Sequence, residues 1–182
     1  MHHDELWQEY SETGEPIGQG RPRSDFEDPG TTAITSRICG AVHVWLYRDT
    51  PSGRELLFQK RSQSVSHNPR QWDISAAGHI NAGESYLDAA LRECSEEIGA
   101  TIAPQELKFV LSHFAPIHRA LFPVFLYKWE GPDTFQFDDG EVETVQWVPI
   151  SDVPAFVQEN VKHTLAELSW YWEKLLFNLE HL

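Results

Sequence analysis

The sequence is short of several residue types, and each shortage excludes a class of protein. It has two cysteines, Cys39 and Cys94, and no C-x-x-C pair, which argues against a structural zinc site or a disulfide framework. Both cysteines lie on apolar runs, so we expect free, buried thiols in a reducing, cytoplasmic compartment. No apolar run approaches the roughly 20 residues that a membrane-spanning helix needs. The first residues lack a basic segment followed by an apolar one, so we expect no secretory signal peptide.

Positive charge is also scarce: 14 Lys and Arg stand against 28 Asp and Glu, which gives a formal net charge of −14. A surface this acidic disfavours nucleic-acid polymers and anionic membranes as partners. An anionic substrate would therefore need bound cations and a few local Arg or Lys side chains to reverse the field at its site. With 182 residues and an ordinary share of apolar side chains, we expect a single domain over residues 1–182.

The stretch Gly78–Ala100, GHINAGESYLDAALRECSEEIGA, carries the strongest pattern in the chain. A glycine-containing turn precedes a predicted helix from about Ser85 to Ile98, with Ser85 as the N-cap and Gly99 as the stop signal. At about 100° per residue, one face of this helix is apolar and another, roughly opposite, is acidic. The apolar face carries Leu87, Leu91, Cys94 and Ile98, and the acidic face carries Glu93, Glu96 and Glu97.

The acidic face has two interpretations. Carboxylates at i, i+3 and i+4 repel one another and weaken a helix by roughly a few tenths of a kcal/mol per pair. A solvated acidic surface is common in a chain this acidic and is the first interpretation. The second is a divalent cation among the carboxylates, whose oxygens suit Mg²⁺, Mn²⁺ or Ca²⁺ better than zinc.

The spacing of the fixed positions favours the second interpretation. The pattern runs Gly78, five residues, Glu84, seven residues, Arg92-Glu93, two residues, Glu96-Glu97, one residue, Gly99. It is similar to the Nudix box, with Cys94 and Ala100 at positions that are usually large aliphatic residues. The resemblance implies an α/β fold, the Nudix α/β/α sandwich with a mixed β-sheet, and a metal-dependent hydrolase of diphosphate bonds in nucleotide-type or related small molecules.

The resemblance also implies roles for residues in the box. It makes Glu93 and Glu97 the expected ligands of Mg²⁺ (or Mn²⁺), with the Gly78 carbonyl as an added ligand. Glu96 is a further ligand or the general base. Arg92 is expected to pair with Glu84 behind the metal and to orient the glutamates. The catalytic set is therefore Glu96, Glu93 and Arg92.

A closer resemblance reaches beyond the box, over roughly residues 6–149. LLFQKRS, WDISAAGHINAGE, PVF and EVETVQW look like the isopentenyl-diphosphate isomerase branch of the Nudix superfamily. Those isomerases use a catalytic cysteine where this chain has Ala77, a metal-binding histidine where it has Cys39, and a diphosphate-binding lysine where it has Val65. His43 is out of register with that histidine. The resemblance thus predicts a hydrolase on an isomerase-like frame, with an isomerase-like enzyme or a non-catalytic ligand-binding protein as alternatives.

Candidates for substrate contacts lie outside the acidic set. Arg61 matches a diphosphate contact of the isomerases, and the other substrate-binding candidates are Lys60, Arg70 and His79, with Arg37 and Arg119 as weaker ones. A turn hydrogen bond is the alternative for His79. A base outside the box is left open, with Glu141 and Glu143 as candidates against a solvated acidic loop. Trp72, His113, Phe114 and His118 are candidates to stack on a base, with a position in the core as the alternative for Trp72 and Phe114.

Alternation and turn residues predict the strands. An N-terminal β-hairpin is expected from Leu6–Tyr10 and a strand that begins at Ile17, followed by a connector over Arg21–Thr32, so that residues 1–36 precede the main sheet. The other strands are predicted at Ile38–Tyr47, Glu55–Lys60, Trp72–Ala77, Leu107–Phe114, Phe122–Trp129 and Val142–Pro149.

Residues 150–182 are expected to form two helices. The first is short and is capped by Ser151, with Pro154 in its first turn. The second spans Thr164–Glu180. Its apolar stripe of Leu165, Leu168, Trp172, Leu175 and Leu179 predicts core packing, with a homodimer contact as the alternative.

Overall fold

The structure, a computed structural model, describes residues 5–26, 37–115, 119–161 and 168–182. Its strands are β1 Leu6–Tyr10, β2 Pro16–Pro22, β3 Ile38–Thr50, β4 Gly53–Arg61, β5 Trp72–Asp73, β6 Ala76–His79, β7 Lys108–Ala115, β8 Ala120–Lys128 and β9 Val142–Pro149. Its helices are α1 Tyr86–Ile98, α2 Val153–Asn160 and α3 Ser169–Glu180. None of these helices is both long and apolar enough to cross a membrane.

The strands form one mixed sheet around β3. The order β2-β1-β3-β4-β5 is antiparallel throughout, and β3 also pairs with β6 in antiparallel and with β8 in parallel orientation. On the far edges, β9 pairs with β4 and β7 pairs with β8. The predicted N-terminal hairpin is present as β1 and β2, and residues 27–36 of the predicted connector lie outside the described residues.

The single strand predicted at Trp72–Ala77 is two short strands with different partners. β3 and β4 pair with each other over the residues next to their shared turn, from the pair Tyr47 and Leu56 to the pair Thr50 and Gly53. Farther from the turn the two strands diverge. β5 pairs with β4 and β6 pairs with β3, so this segment fills the gap between them. Ser75 joins the two sides, because its buried hydroxyl accepts the Leu46 N–H (2.9 Å) and donates to the Leu57 carbonyl (2.6 Å).

Helices cover both faces of the sheet, which confirms the predicted α/β/α sandwich. α1 closes one apolar core with residues that include Ala90, Cys94 and Ile98. α2 and α3 close the other, where Trp45 and Phe58 of the sheet meet Tyr171 and Trp172. Both cysteines are buried thiols that form no disulfide, as predicted.

The helix ends agree with the predictions except at α2. The Ser85 hydroxyl accepts the Asp88 N–H (3.1 Å), and Gly99 ends α1 with a φ of 64°, which glycine adopts without strain. The N-cap of α2 is Asp152, not Ser151, whose hydroxyl instead donates to the Asp152 carboxylate (2.9 Å). The described part of α3 begins at Ser169, and its stripe residues Trp172, Leu175 and Leu179 are buried in the core as predicted. Thr164 and Leu165 lie outside the described residues.

Candidate active site

The buried face of α1 differs from the predicted one. Leu87 is 37% exposed, whereas Ala89, Ala90, Glu93 and Glu97 are buried along with Cys94 and Ile98. The prediction that the carboxylates lie opposite the apolar face is therefore wrong for Glu93 and Glu97. Two consecutive alanines let α1 pack closely against β6, and the two glutamates on that side lie between helix and sheet. Glu96 differs from them, because its side chain is 53% exposed.

Glu97 is buried against the sheet. One of its oxygens, Oε2, accepts the Ala77 N–H (2.8 Å) and the Gln59 side-chain amide (3.1 Å). Burial and the nearby charge of Glu93 raise the pKa of Glu97 well above its usual value. The other amide atom, Oε1 of Gln59, is buried and has no hydrogen-bond partner among the described residues. This corner of the protein therefore holds a buried acid and a buried amide oxygen, both of which a bound cation could satisfy.

Glu93 lies one helical turn before Glu97, directly on the backbone of Gly78. A Cβ at Gly78 would clash with the Glu93 carboxylate, so only glycine leaves room for it. Oε1 of Glu93 pairs with the Arg92 guanidinium (2.6 Å). Burial raises the pKa of Glu93 to about 7, although the charge of Arg92 opposes the shift.

Arg92 ties the box together. It donates from Nε and Nη2 to the two oxygens of Glu84 (2.8 and 2.9 Å), from Nη2 to the His79 carbonyl (2.8 Å), and from Nη1 to Glu93 and to Glu96 (3.0 Å). Burial opposes its charge, but the hydrogen bond to Glu84 and the charge of Glu93 hold the pKa of Arg92 above its usual value. The pairing of Arg92 with Glu84 is the one that the sequence predicted, and a bidentate pair of this kind fixes orientation as well as charge.

A second acidic segment adds negative charge to the box. After the larger effect of burial, the charge of Glu141, just before β9, contributes to the raised pKa of both Glu93 and Glu97. Glu143, the other candidate base, instead forms an ion pair with Lys60 (3.1 Å). The structure thus distinguishes two acids that the sequence left equivalent.

The donor set fits a hard divalent cation. Within the described ranges, no three Asp, Glu, His or Cys side chains already converge on one point, since Glu93 and Glu96 turn toward Arg92. Even so, buried carboxylates one turn apart, a neighbouring acid and an unpartnered amide oxygen are the ligand chemistry of Mg²⁺ or Mn²⁺ rather than of zinc.

The candidate phosphate-binding cations surround the loop that follows β4. Arg61 Nε donates to the His67 carbonyl (3.1 Å), and Arg70, with a φ of 62°, bonds through its side chain to Gln63. In the part of the chain that the structure describes, neither these two nor Lys60 forms an ion pair with Glu93, Glu96 or Glu97. Arg37 pairs with Glu9 (2.8 Å) on the hairpin, away from this loop.

The aromatic candidates mostly pack against neighbours. Trp72 is half-buried and meets Phe156 edge-on, at 5.4 Å between ring centroids. His113 is also half-buried, meets Trp170 at 4.5 Å, and has its pKa lowered by burial. Phe114 is 37% exposed, and His118 lies outside the described residues. His79 stacks on Trp7 with ring centroids 3.5 Å apart and planes within 5°.

Sequence reasoning missed Gln59 as a residue of this site. The signal was present in the sequence. Gln59 follows the apolar run of β4, and Leu57, two residues earlier and therefore on the same face of the strand, lies in the core under α1. A glutamine that is 1% exposed in such a strand is more informative than an exposed arginine, since burying an amide requires a polar partner.

The protein is therefore an α/β/α sandwich in which α1 carries buried glutamates next to β6. The NUDIX domain family model matches residues 39–168. Nudix hydrolase 3 of Arabidopsis thaliana is 30% identical over 166 residues, which cover 82% of this chain and 20% of that protein. The isopentenyl-diphosphate Δ-isomerase of Escherichia coli is 28% identical over 141 residues, or 74% of this chain and 75% of that protein.

Among solved structures, the fold is similar to that of DR0079 from Deinococcus radiodurans, with a TM-score of 0.69 and 24% identity over 90% of this chain and 96% of that one. The chain belongs to the Nudix family and has isopentenyl-diphosphate isomerases among its relatives. It spans about a fifth of the length of Nudix hydrolase 3.

Proposed function

We propose that the protein is a divalent-metal-dependent hydrolase that cleaves a diphosphate bond in a nucleotide-type or related organic diphosphate. The observation that carries this proposal is the pair of buried carboxylates, Glu93 and Glu97, on the inner face of α1 beside Gly78. Burying two such charges is costly unless a cation joins them. Membership of the Nudix family supports the same conclusion.

In this proposal Glu93, Glu97 and the Gly78 carbonyl hold Mg²⁺ or Mn²⁺, with Glu96 as a further ligand or base. The cation, when bound, neutralises charge on the phosphoryl oxygens and lowers the pKa of bound water. Two donors already engage Oε2 of Glu97, so Oε1 is the oxygen left for the cation. Arg92 fixes the Glu93 side chain, and the cations of the loop after β4, Arg61 above all, bind the phosphates.

Glu141 is the stronger candidate for a base outside the box. Its carboxylate lies near the pair of buried acids, and its carbonyl accepts the Ser62 N–H (2.7 Å), which anchors it beside the phosphate-binding loop. A base in this position would take the proton of the attacking water. The ion pair of Glu143 with Lys60 makes Glu143 the weaker candidate.

The residue that stands where the related isomerases carry their catalytic acid, Ala77, argues against isomerisation. Ala77 has only a methyl group there, and its N–H is engaged by Glu97. His43 lies opposite Ala77 on β3 and is hydrogen-bonded to the Tyr171 hydroxyl (3.2 Å). Cys39 is buried where the isomerases place a metal-binding histidine. Proton transfer to a carbon skeleton therefore lacks the acid that the isomerases use.

A substrate panel tests the proposal. Nucleoside di- and triphosphates, nucleotide sugars, dinucleoside polyphosphates and isoprenoid diphosphates are incubated with Mg²⁺ or Mn²⁺ at about pH 7–9, a range suited to base-assisted attack. We expect release of a phosphate-containing product from at least one nucleotide-type compound and none after chelation of the metal. Formation of dimethylallyl diphosphate from isopentenyl diphosphate would instead identify an isomerase, and tight binding without turnover a ligand-binding protein.

The variant Gly78→Ala should weaken metal binding while leaving the stability of the fold almost unchanged. In Gly78→Ala the new methyl group collides with the carboxylate at the end of the Glu93 side chain rather than with backbone, so the carboxylate is displaced while the backbone of the fold persists. We expect the free energy of unfolding to change little and the Kd for Mn²⁺ to rise about tenfold or more. Thermal unfolding and Mn²⁺ titration measure the two quantities, and an unchanged Kd would contradict the placement of Glu93 in the site.

A further inference from the structure

The N-terminal hairpin lies directly against residues 79–83, which comprise the last residue of β6 and the first part of the loop that leads to α1. Backbone contacts pair this loop with β1: Gln8 N–H donates to the Ile80 carbonyl (2.8 Å), Ala82 N–H donates to the Leu6 carbonyl (2.8 Å), and Trp7 forms a β-bridge with Asn81. β2 also presses on the loop, since Gly20 has a φ of 84° and a Cβ there would clash with that of Ala82. The loop is therefore held by the hairpin along its whole length.

The Gln8 side chain adds a buried clamp to these contacts. Gln8 is 4% exposed, and its Oε1 accepts the Gly83 N–H (3.0 Å) while its Nε2 donates to the Ile17 carbonyl of β2 (3.0 Å). The Gln8 side chain thus links β2 of the hairpin to the loop that precedes α1. A buried amide with partners on both of its polar atoms rigidifies the groups that it joins.

Trp7 makes the second side-chain contact. It is 3% exposed and stacks on His79, while the Arg23 guanidinium lies 5.2 Å from its ring centroid. The carbonyl of His79 accepts a hydrogen bond from Arg92, and the Asn81 N–H donates to Glu84 (2.9 Å). Both anchors of Arg92 therefore lie on or beside the loop that the hairpin holds.

We propose that Trp7 and Gln8 are positioning residues for the carboxylates of the metal site. They fix residues 79–83, this loop fixes the His79 carbonyl and Glu84, and these orient Arg92 toward Glu93. This inference depends on the proposed function in one respect, which is that Glu93 is a metal ligand. It gives the hairpin, which is remote in sequence from the box, a role in the geometry of the site.

Variants of Gln8 and Trp7 test this role in the whole chain. Gln8→Leu keeps the volume and removes the amide, and Trp7→Leu removes the stacking partner of His79. Amide hydrogen exchange of residues 80–83 is measured without metal, and the Kd for Mn²⁺ is measured by electron paramagnetic resonance of the free ion. We expect faster exchange at Gly83 in both variants and a Kd raised about tenfold, the usual cost of losing a supporting contact.

Rescue and control variants make the result specific. Trp7→Phe retains a ring over His79, so its Kd is expected within about twofold of wild type. Ile17→Thr alters a side chain that is 42% exposed but keeps the carbonyl that Gln8 uses, and it should behave as wild type. Wild-type exchange at Gly83 in both leucine variants would overturn the proposal, as would faster exchange that extends equally through α3. Because exchange needs neither metal nor turnover, it tests the hold of the hairpin on the loop even if the proposed hydrolysis fails, and a wild-type Kd for Mn²⁺ in both leucine variants would overturn the positioning role.

Discussion

A Glu97→Gln variant is expected to lose metal-dependent hydrolysis, with kcat/KM lowered roughly a thousandfold, or about 4 kcal/mol. The amide retains the size of the carboxylate, and its oxygen still accepts the Ala77 N–H, so the fold should persist. It does not retain the charge that balances the cation at the point where α1 meets β6. Steady-state kinetics on the best substrate of the panel, with Mg²⁺ varied, measure the loss.

Matched glutamates show whether the loss is specific. Glu96→Gln removes a half-exposed carboxylate that contacts Arg92, so we expect a smaller loss of kcat/KM than for Glu97→Gln. Glu173→Gln on the exposed face of α3 should leave the kinetics unchanged. Full activity in Glu97→Gln would reject the proposed hydrolase. In the absence of metal this variant should also have a higher Tm than wild type, because it no longer buries a group whose charged form is disfavoured.

The box could be predicted from sequence because its signals are local. Ser85 and Gly99 mark the ends of α1 through their own side-chain and backbone chemistry, and the pairing of Arg92 with Glu84 is what the resemblance to the Nudix box implies. The buried face of α1 could not be predicted in the same way. Hydrophobic periodicity predicts that Leu87 is buried and says little about Ala89. In the structure Ala89 is fully buried and Leu87 is 37% exposed.

Long-range contacts account for the rest of what the sequence did not reveal. The division of Trp72–Ala77 into two strands depends on the divergence of β3 and β4, which no property of that segment announces. The clamp by Gln8 joins residues 75 positions apart in the chain. The distinction between Glu141 and Glu143 depends on Lys60 of the neighbouring strand β4, which forms an ion pair with Glu143.

The proposed hydrolytic site and the positions that match the isomerases lie on different sides of the sheet. The box glutamates lie on the α1 side of the sheet, whereas Ala77 and His43 adjoin the core on the α3 side. Residues at the isomerase positions can therefore change without disturbing the proposed metal-binding face. This separation is a physical reason for the proposed hydrolase to share a frame with isomerases that are 28% identical to it.

The stability of the metal-free protein is expected to fall as pH rises through about 7. The pKa of Glu93 is about 7 in the folded chain against an ordinary value of 4.5, so folding favours its protonated form. The resulting contribution to stability is complete below about pH 4.5 and is lost as pH rises through 7, a change of about 3 kcal/mol for this group. The raised pKa of Glu97 acts in the same direction. A cation that pairs with the ionised carboxylates should offset this loss, because it binds the deprotonated form.

Thermal unfolding with and without Mg²⁺ at about pH 5 and about pH 8 measures this linkage. We expect Mg²⁺ to raise the Tm more at the higher pH, where no protons have to be displaced from Glu93 before the cation binds. Glu93→Gln should weaken the pH dependence of the metal-free protein, whereas Glu106→Gln, in an exposed turn, should leave it as in wild type. An equal shift in Tm at both pH values would show that the cation does not bind at these carboxylates. A larger shift at the lower pH would reverse the sign of the linkage and would likewise contradict binding at these carboxylates.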